Sequence, residues 1–258
     1  MFLWDDVGET RIRFDRAEPQ RGVSGTGWAN SGLAGLLEAC TVPIAVHDHA
    51  RAAILGTGTL LACDGHYTLL TAAHLFDAAT TSGNWLVPER GSGQLLSLEG
   101  AQVRVLGGAD IAMVDLARTR ELSRLLTGRV AMPLQRVLRR RKHRATDRSA
   151  TFCLAGFPAV WSRFERGFLA AKRLTITTRQ HDDPAEDLRC VYGRVAERGD
   201  GRMIHTPALE GMSGAAIWKI GANRGGALIE LAGVQSAFLH SRYLRGDAIA
   251  SIEPFLHR

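Results

Sequence analysis

Three short segments of this chain carry side chains whose types and order suit one kind of chemistry. Ser213 stands in Gly211-Met212-Ser213-Gly214, His74 ends Leu69-Leu70-Thr71-Ala72-Ala73-His74, and Asp110 opens Asp110-Ile111-Ala112-Met113-Val114-Asp115-Leu116. A serine hydroxyl is a weak nucleophile. It attacks a carbonyl carbon only when an imidazole takes its proton, and the imidazole needs a carboxylate to hold its tautomer and stabilise its cation. Two glycines beside the serine permit a tight turn that aims amide N–H groups at a developing oxyanion. Each segment alone has a plainer reading: a turn, a half-buried histidine, and a loop aspartate after Gly107-Gly108. Their combination in the order His, Asp, Ser points to nucleophilic acyl transfer.

Strands are the elements that must position these groups. Val42–Val46, Ala52–Ala62, Tyr67–Thr71, Leu95–Leu98, Gln102–Leu106 and Ile111–Leu116 read as strands of the first half, with Asp64-Gly65 a hairpin turn. The second half offers Thr151–Ala155, Phe168–Thr178, Leu188–Val195, Met203–Thr206, Gly214–Lys219 and Leu228–Ala237, with a turn at Asn223-Arg224-Gly225-Gly226. Ser31–Cys40 reads as a short helix, with Leu33, Leu36 and Leu37 on one face, and a second short helix is predicted within Ile249–His257. Many short strands joined by glycine turns predict an all-β protein built on antiparallel barrels.

The three segments together resemble those of the bacterial trypsin-like serine proteases of the chymotrypsin fold. Phe152-Cys153-Leu154-Ala155-Gly156-Phe157-Pro158 resembles the strand that opens that family's second barrel, and Leu231-Ala232-Gly233-Val234-Gln235-Ser236 the strand beside its substrate. The resemblance covers residues 42 to 256. It implies two antiparallel six-stranded β-barrels with the active site in the cleft between them. The expected organisation is an N-terminal extension (1–41), a first barrel with His74 and Asp110 (42–118), a basic interdomain linker (119–149) and a second barrel with Ser213 (150–258). By the same resemblance the amides of Gly211 and Ser213 form the oxyanion hole, and Ser236 supports the aspartate.

The departures from the pattern bear on specificity and control. Met212 precedes the serine where many secreted members carry an aspartate that pairs with a newly cut N-terminus, so activation of that kind is not expected. The residue that floors the family's specificity pocket is Pro207 here, followed by Ala208; neither attracts a basic side chain, and a small or apolar one is the expectation. Asp247, in the strand resembling the far wall, restores a basic preference if it points inward, and strand alternation leaves its direction open. Phe238 either narrows the substrate groove or packs in the core.

Composition sets the outer limits. The 258 residues suffice for a large core, and no apolar run approaches a membrane span. The first residues, Met1-Phe2-Leu3-Trp4-Asp5-Asp6, turn acidic where an export signal is apolar, so a cytoplasmic location is expected. Cys40, Cys63, Cys153 and Cys190 form no C-x-x-C pair, and Leu75 follows His74 where secreted members place a bridging cysteine; four free thiols and no zinc site are expected. Charge is uneven. Residues 118 to 148 hold eleven Lys/Arg against Glu121 and Asp147, nine positive charges net, while the whole chain carries +6. The run Arg139–Arg144 reads as a solvated linker or, alternatively, as a site for an acidic partner or nucleic acid; no aromatic residue interleaves it, so nucleic acid is the weaker expectation. The polar cluster His181-Asp182-Asp183 with Glu186-Asp187 reads as a solvated loop rather than a metal site.

The expected function is an intracellular serine endopeptidase that acts on protein or peptide substrates through an acyl-enzyme, needs no cofactor or metal, engages no membrane, and is restrained by a regulatory partner or a conformational step. The alternative is a protease-like module that binds peptides or proteins with little turnover.

Overall fold

The computed structural model describes residues 10–13, 32–48, 51–76, 85–138, 150–182, 187–198, 201–223, 226–239 and 242–249. The strands, in chain order, are β1 (Thr10–Arg13), β2 (Thr41–Asp48), β3 (Arg51–Cys63), β4 (His66–Thr71), β5 (Trp85–Pro88), β6 (Leu95–Ser97), β7 (Gln102–Leu106), β8 (Ile111–Asp115), β9 (Met132–Pro133) and β10 (Thr151–Gly156). They continue with β11 (Ser162–Glu165), β12 (Phe168–Ala171), β13 (Leu174–Arg179), β14 (Leu188–Val191), β15 (Val195–Arg198), β16 (Met203–His205), β17 (Ala216–Asn223), β18 (Gly226–Leu239) and β19 (Tyr243–Ala248). Helices are short: α1 (Gly32–Cys40), α2 (Leu122–Leu126) and α3 (Leu134–Val137).

The fold is all-β with two curled, largely antiparallel sheets, as expected. One sheet runs β6-β5-β2-β3-β4-β8-β7, with β9 pairing β3 in parallel. The other runs β14-β19-β18-β17-β10-β13-β1-β15-β16, and β11-β12 form a separate hairpin. Both sheets thus carry more strands than the six expected. The second gains β1, which lies parallel to β13 and antiparallel to β15 and bridges them.

Neighbouring residues on the central strands feed opposite cores, because successive side chains of a strand leave on opposite faces. Leu60, Leu69 and Val114 fill the first barrel, while Leu61, Leu70 and Met113 point the other way. In the second barrel Leu154 and Ile217 face inward, and Cys153 and Trp218 face outward. The outward sets of both sheets meet in a shared layer that also takes Leu37 and Cys40 of α1. Trp218, only 1% exposed, is the largest side chain in that layer. The β3–β4 hairpin closes on Asp64 and Gly65, both with positive φ (47° and 83°), the geometry of the expected two-residue turn.

Two expectations need correction. Residues 119–138 are not a solvated linker: α2, β9 and α3 lie there, and Leu125, Leu134 and Val137 are buried against the first barrel and the shared layer. The apolar residues between the arginines drive this packing, a signal that the charge count obscures. The strand expected over Phe168–Thr178 is two, β12 and β13. The basic run 139–144, the turn at 224–225 and the C-terminal helix beyond residue 249 lie outside the described residues. All four cysteines are free thiols, and burial pushes Cys40 and Cys190 up to about 12, which leaves them unreactive. Among the described residues no helix is long and apolar enough to cross a membrane.

Trp218→Ala should destabilise the protein by about 3–5 kcal/mol, through lost burial and a cavity in the shared layer. Urea denaturation followed by circular dichroism measures this. A loss below 1 kcal/mol would show that the layer between the sheets contributes little.

Candidate functional site

The register of the first sheet brings His74 and Asp110 together. Thr71, the last residue of β4, lies opposite Ala112 of β8. His74 follows three residues later in a single 3-10 turn (Ala73–Phe76), held down by buried Leu75. Asp110 sits two residues before Ala112, at the end of the turn joining β7 and β8. Both side chains therefore project from the same end of adjacent strands.

The carboxylate grips the histidine twice. The His74 backbone N–H donates to Asp110 Oδ1 at 2.8 Å, and Nδ1 meets Oδ2 at 2.6 Å. Burial pushes the Asp110 carboxyl up, but hydrogen bonds from the His74 ring and backbone, the histidine's charge and the Ala73 amide outweigh it, so the carboxyl sits below its usual range. An ionised carboxylate only accepts, so Nδ1 carries the proton of the neutral ring, and Nε2 presents its lone pair on the far side. The side chains are 39% and 25% exposed, so this pair opens to solvent.

Ser213 lies on a turn of the second barrel that is pressed against the first. The Thr57 N–H donates to Ser213 O at 2.8 Å. Thr57 Oγ1 donates to Gly211 O at 2.8 Å and accepts from the Phe157 N–H at 3.1 Å. The Thr57 carbonyl accepts from Thr71 Oγ1 at 2.7 Å, three residues before His74. Thr57 is fully buried, and its ladder partner Pro43 has no N–H to offer. Gly214 (φ 92°) nests so closely that a Cβ there would run into Thr57 O and Thr71 Oγ1 and stand 2.9 Å from Ala72 N. The Ser213–Gly214 turn and the strand end that precedes His74 are thus in close contact.

The same turn leaves two amides unengaged. Met212, Gly214 and Ala215 each donate their N–H to a carbonyl, of Leu209, Gln235 and Met212 respectively. The N–H groups of Gly211 and Ser213 have no acceptor among the described residues. Gly211 holds φ 88°, and a Cβ there would stand 2.6 Å from Phe157 O and 2.8 Å from Ala159 N. Met212, where an aspartate would sit in the resembling family, is fully buried in the second-barrel core.

The predicted substrate-side residues fare differently. Ser236 sits at an irregularity in the β18–β19 pairing, and its buried Oγ makes no hydrogen bond among the described residues, so the expected support of Asp110 is absent. Phe238 pairs with Leu244 and packs on the second-barrel core, which favours its structural role over a narrowing of the groove. Asp247 does not face the barrel interior. Gly246 takes that face, since a Cβ there would meet the inward Ile217, and Asp247 lies opposite Val234 on the other face. Its Oδ2 is shielded without a partner among the described residues. Pro207 and Ala208 are half-buried, and the Pro207 carbonyl accepts a short hydrogen bond from Tyr192 Oη.

Thr57 and Tyr192 escaped the sequence reading. Thr57 lies between two glycines in a strand, and that pattern was legible as a close backbone approach. Tyr192 gave no signal beyond its apolar surroundings. Among the described residues no group of His, Cys, Asp and Glu side chains suits a metal ion.

No family profile and no curated protein matches the chain. Solved structures do. One, from work on the intrinsically disordered VPg protein of Sesbania mosaic virus, is 15% identical with a TM-score of 0.47, covering 85% of this chain and 91% of that one. Another, the protease Anisep from Arthrobacter nicotinovorans, is 12% identical with a TM-score of 0.47, covering 84% and 95%.

Thr57→Val should destabilise the protein by about 2–4 kcal/mol, since it strands the buried Gly211 carbonyl and Phe157 N–H, while Thr57→Ser should recover most of the loss. Thermal denaturation of both variants checks this. Equal behaviour of the two would deny the hydroxyl its role.

Proposed function

We propose that the chain is a serine endopeptidase that cleaves protein or peptide substrates through an acyl-enzyme on Ser213. The observation that carries this reading is the double grip of Asp110 on His74, with the Ser213–Gly214 turn seated against Thr71 and Ala72. Asp110 holds the tautomer in which His74 Nε2 is the base. Ser213 Oγ gives its proton to Nε2 and attacks the scissile carbonyl, and the same proton then passes to the leaving amine. Water deacylates the enzyme by the reverse path. The N–H groups of Gly211 and Ser213 are the donors for the oxyanion, each worth about 3 kcal/mol in the transition state. No carboxylate stands at Pro207, and Asp247 lies on the wrong face to act as one, so a small or apolar side chain before the scissile bond remains the expectation. The first barrel is built from strands between residues 41 and 115 with β9 added, and the second from strands between 151 and 248 with β1 added. Control by a protein partner and a cytoplasmic setting are parts of the same proposal.

A fluorophosphonate probe should label the wild-type chain at Ser213, with labelling lost in Ser213→Ala and His74→Ala. Asp110→Asn should slow peptide hydrolysis by about 10⁴-fold at neutral pH, because the ring then adopts the wrong tautomer. A folded wild-type chain that resists the probe would overturn the enzyme reading and leave the fold as a peptide-binding module. The pH dependence has a definite sign. Asp110 is lowered in the folded state, so its contribution to stability is full above the ordinary carboxylate range and is lost as pH falls through the lowered value. Acid titration of stability should therefore be shallower in Asp110→Asn than in the wild type.

A further inference from the structure

A cavity of about 400 Å³ lies where the first barrel meets the β11–β12 hairpin and the end of α1, and His74, Asp110 and Ser213 are not among its lining residues. Its charged lining is Arg90, Arg129 and Arg173 with Glu38 and Glu89. The two carboxylates are already committed. Glu38 is shared by Arg173 at 3.1 Å and Arg90 at 3.4 Å. Glu89 takes two bonds from Arg124, at 3.0 and 3.2 Å, and one from Ser92 Oγ at 2.5 Å.

Arg129 is left with carbonyls alone. Its guanidinium donates to Leu125 O at 2.8 Å and to Pro88 O at 2.6 Å, and it has no carboxylate partner among the described residues. Burial pushes it down to about 10, with the Arg90 charge adding to the effect and Glu89 opposing it. A half-buried cation beside a second cation, with donors to spare, is an electrostatic deficit that an anion would relieve. The rest of the lining is mostly apolar, with Pro43, Phe157, Leu169 and Ala171 on one side and Thr41 its one uncharged polar side chain. The cavity is amphipathic, with a cationic end and a greasy flank, as small-molecule sites are.

We propose that this cavity binds a small organic anion, its phosphate or carboxylate head held by Arg129 and Arg90 and its apolar body laid against Phe157 and Leu169. A guanidinium fork suits both head groups, so the shared chemistry is an oxyanion on a short apolar body. This binding uses none of His74, Asp110 and Ser213, so it is tested without reference to peptide hydrolysis.

Calorimetric titration of the purified chain with phenyl phosphate, benzoate and inorganic phosphate tests the assignment. Saturable one-to-one binding of either organic probe is expected, with affinity falling at least about tenfold in Arg129→Gln. Arg90→Gln, at the cavity's more exposed edge, should weaken binding in the same direction and guards against a folding defect in the first variant. Leu169→Ala should weaken the organic probes and leave inorganic phosphate unchanged. Phenyl phosphate alone binding assigns a phosphorylated ligand, benzoate alone a carboxylate, and both a general organic anion. Absence of saturable binding by both organic probes overturns the proposal. So does affinity unchanged in both arginine variants, or inorganic phosphate binding as tightly as phenyl phosphate.

Discussion

Thr57 is the residue on which the arrangement of the site depends. One buried side chain and its peptide groups make four hydrogen bonds that reach three separate segments, to Ser213, Gly211, Phe157 and Thr71. Two of these partners lie in the Gly211–Gly214 turn, one just past the end of β10, and one at the strand end before His74. A buried peptide group without a partner is costly, so the two barrels cannot slide past each other without breaking several bonds at once. Small residues on either side make the approach possible, since Gly56 and Gly214 have no Cβ to intervene. The alignment of groups drawn from both barrels is therefore a property of backbone packing around Thr57, not of the His74, Asp110 and Ser213 side chains.

Much of this was legible in the chain. Between Thr41 and Asp115 every strand except β5 (Trp85–Pro88), which the sequence reading missed, falls within a residue or two of where alternation and turn glycines put it, because hairpins close on strong turn signals. His74 and Asp110 were recognisable by type and setting, and the sheet register makes them neighbours. The second half was harder. Within Phe168–Thr178 the charged pair Lys172-Arg173 marks the break between β12 and β13, a signal that reading the segment as one apolar run passes over. The arginines of 118–138 concealed a set of buried leucines and a valine, and charge counting alone turned an ordered segment into a linker.

The substrate side shows where strand periodicity stops being informative. The direction of Asp247 hinges on whether Gly246 or its neighbour takes the inner face, and glycine gives no polarity cue either way. The β18–β19 irregularity at Ser236 shifts the alternation by one residue, which local sequence does not announce. Resemblance supplied a role for Ser236 that its buried, unpartnered hydroxyl does not fill. Side chains that act through a single hydrogen bond are the least transferable part of a motif, because half an ångström removes them.

The strand Thr10–Arg13 joins partners some 160 to 190 residues further along, at Leu174–Thr177 and Glu197–Arg198. During synthesis it leaves the ribosome long before either partner exists. It can find its slot only after residues 174–198 have emerged, so completing this part of the second sheet means capturing a strand made more than 160 residues before its partners. Such long-range closure carries a high loop entropy and makes for slow folding. The order of manufacture and the order of consolidation run in opposite directions in this protein.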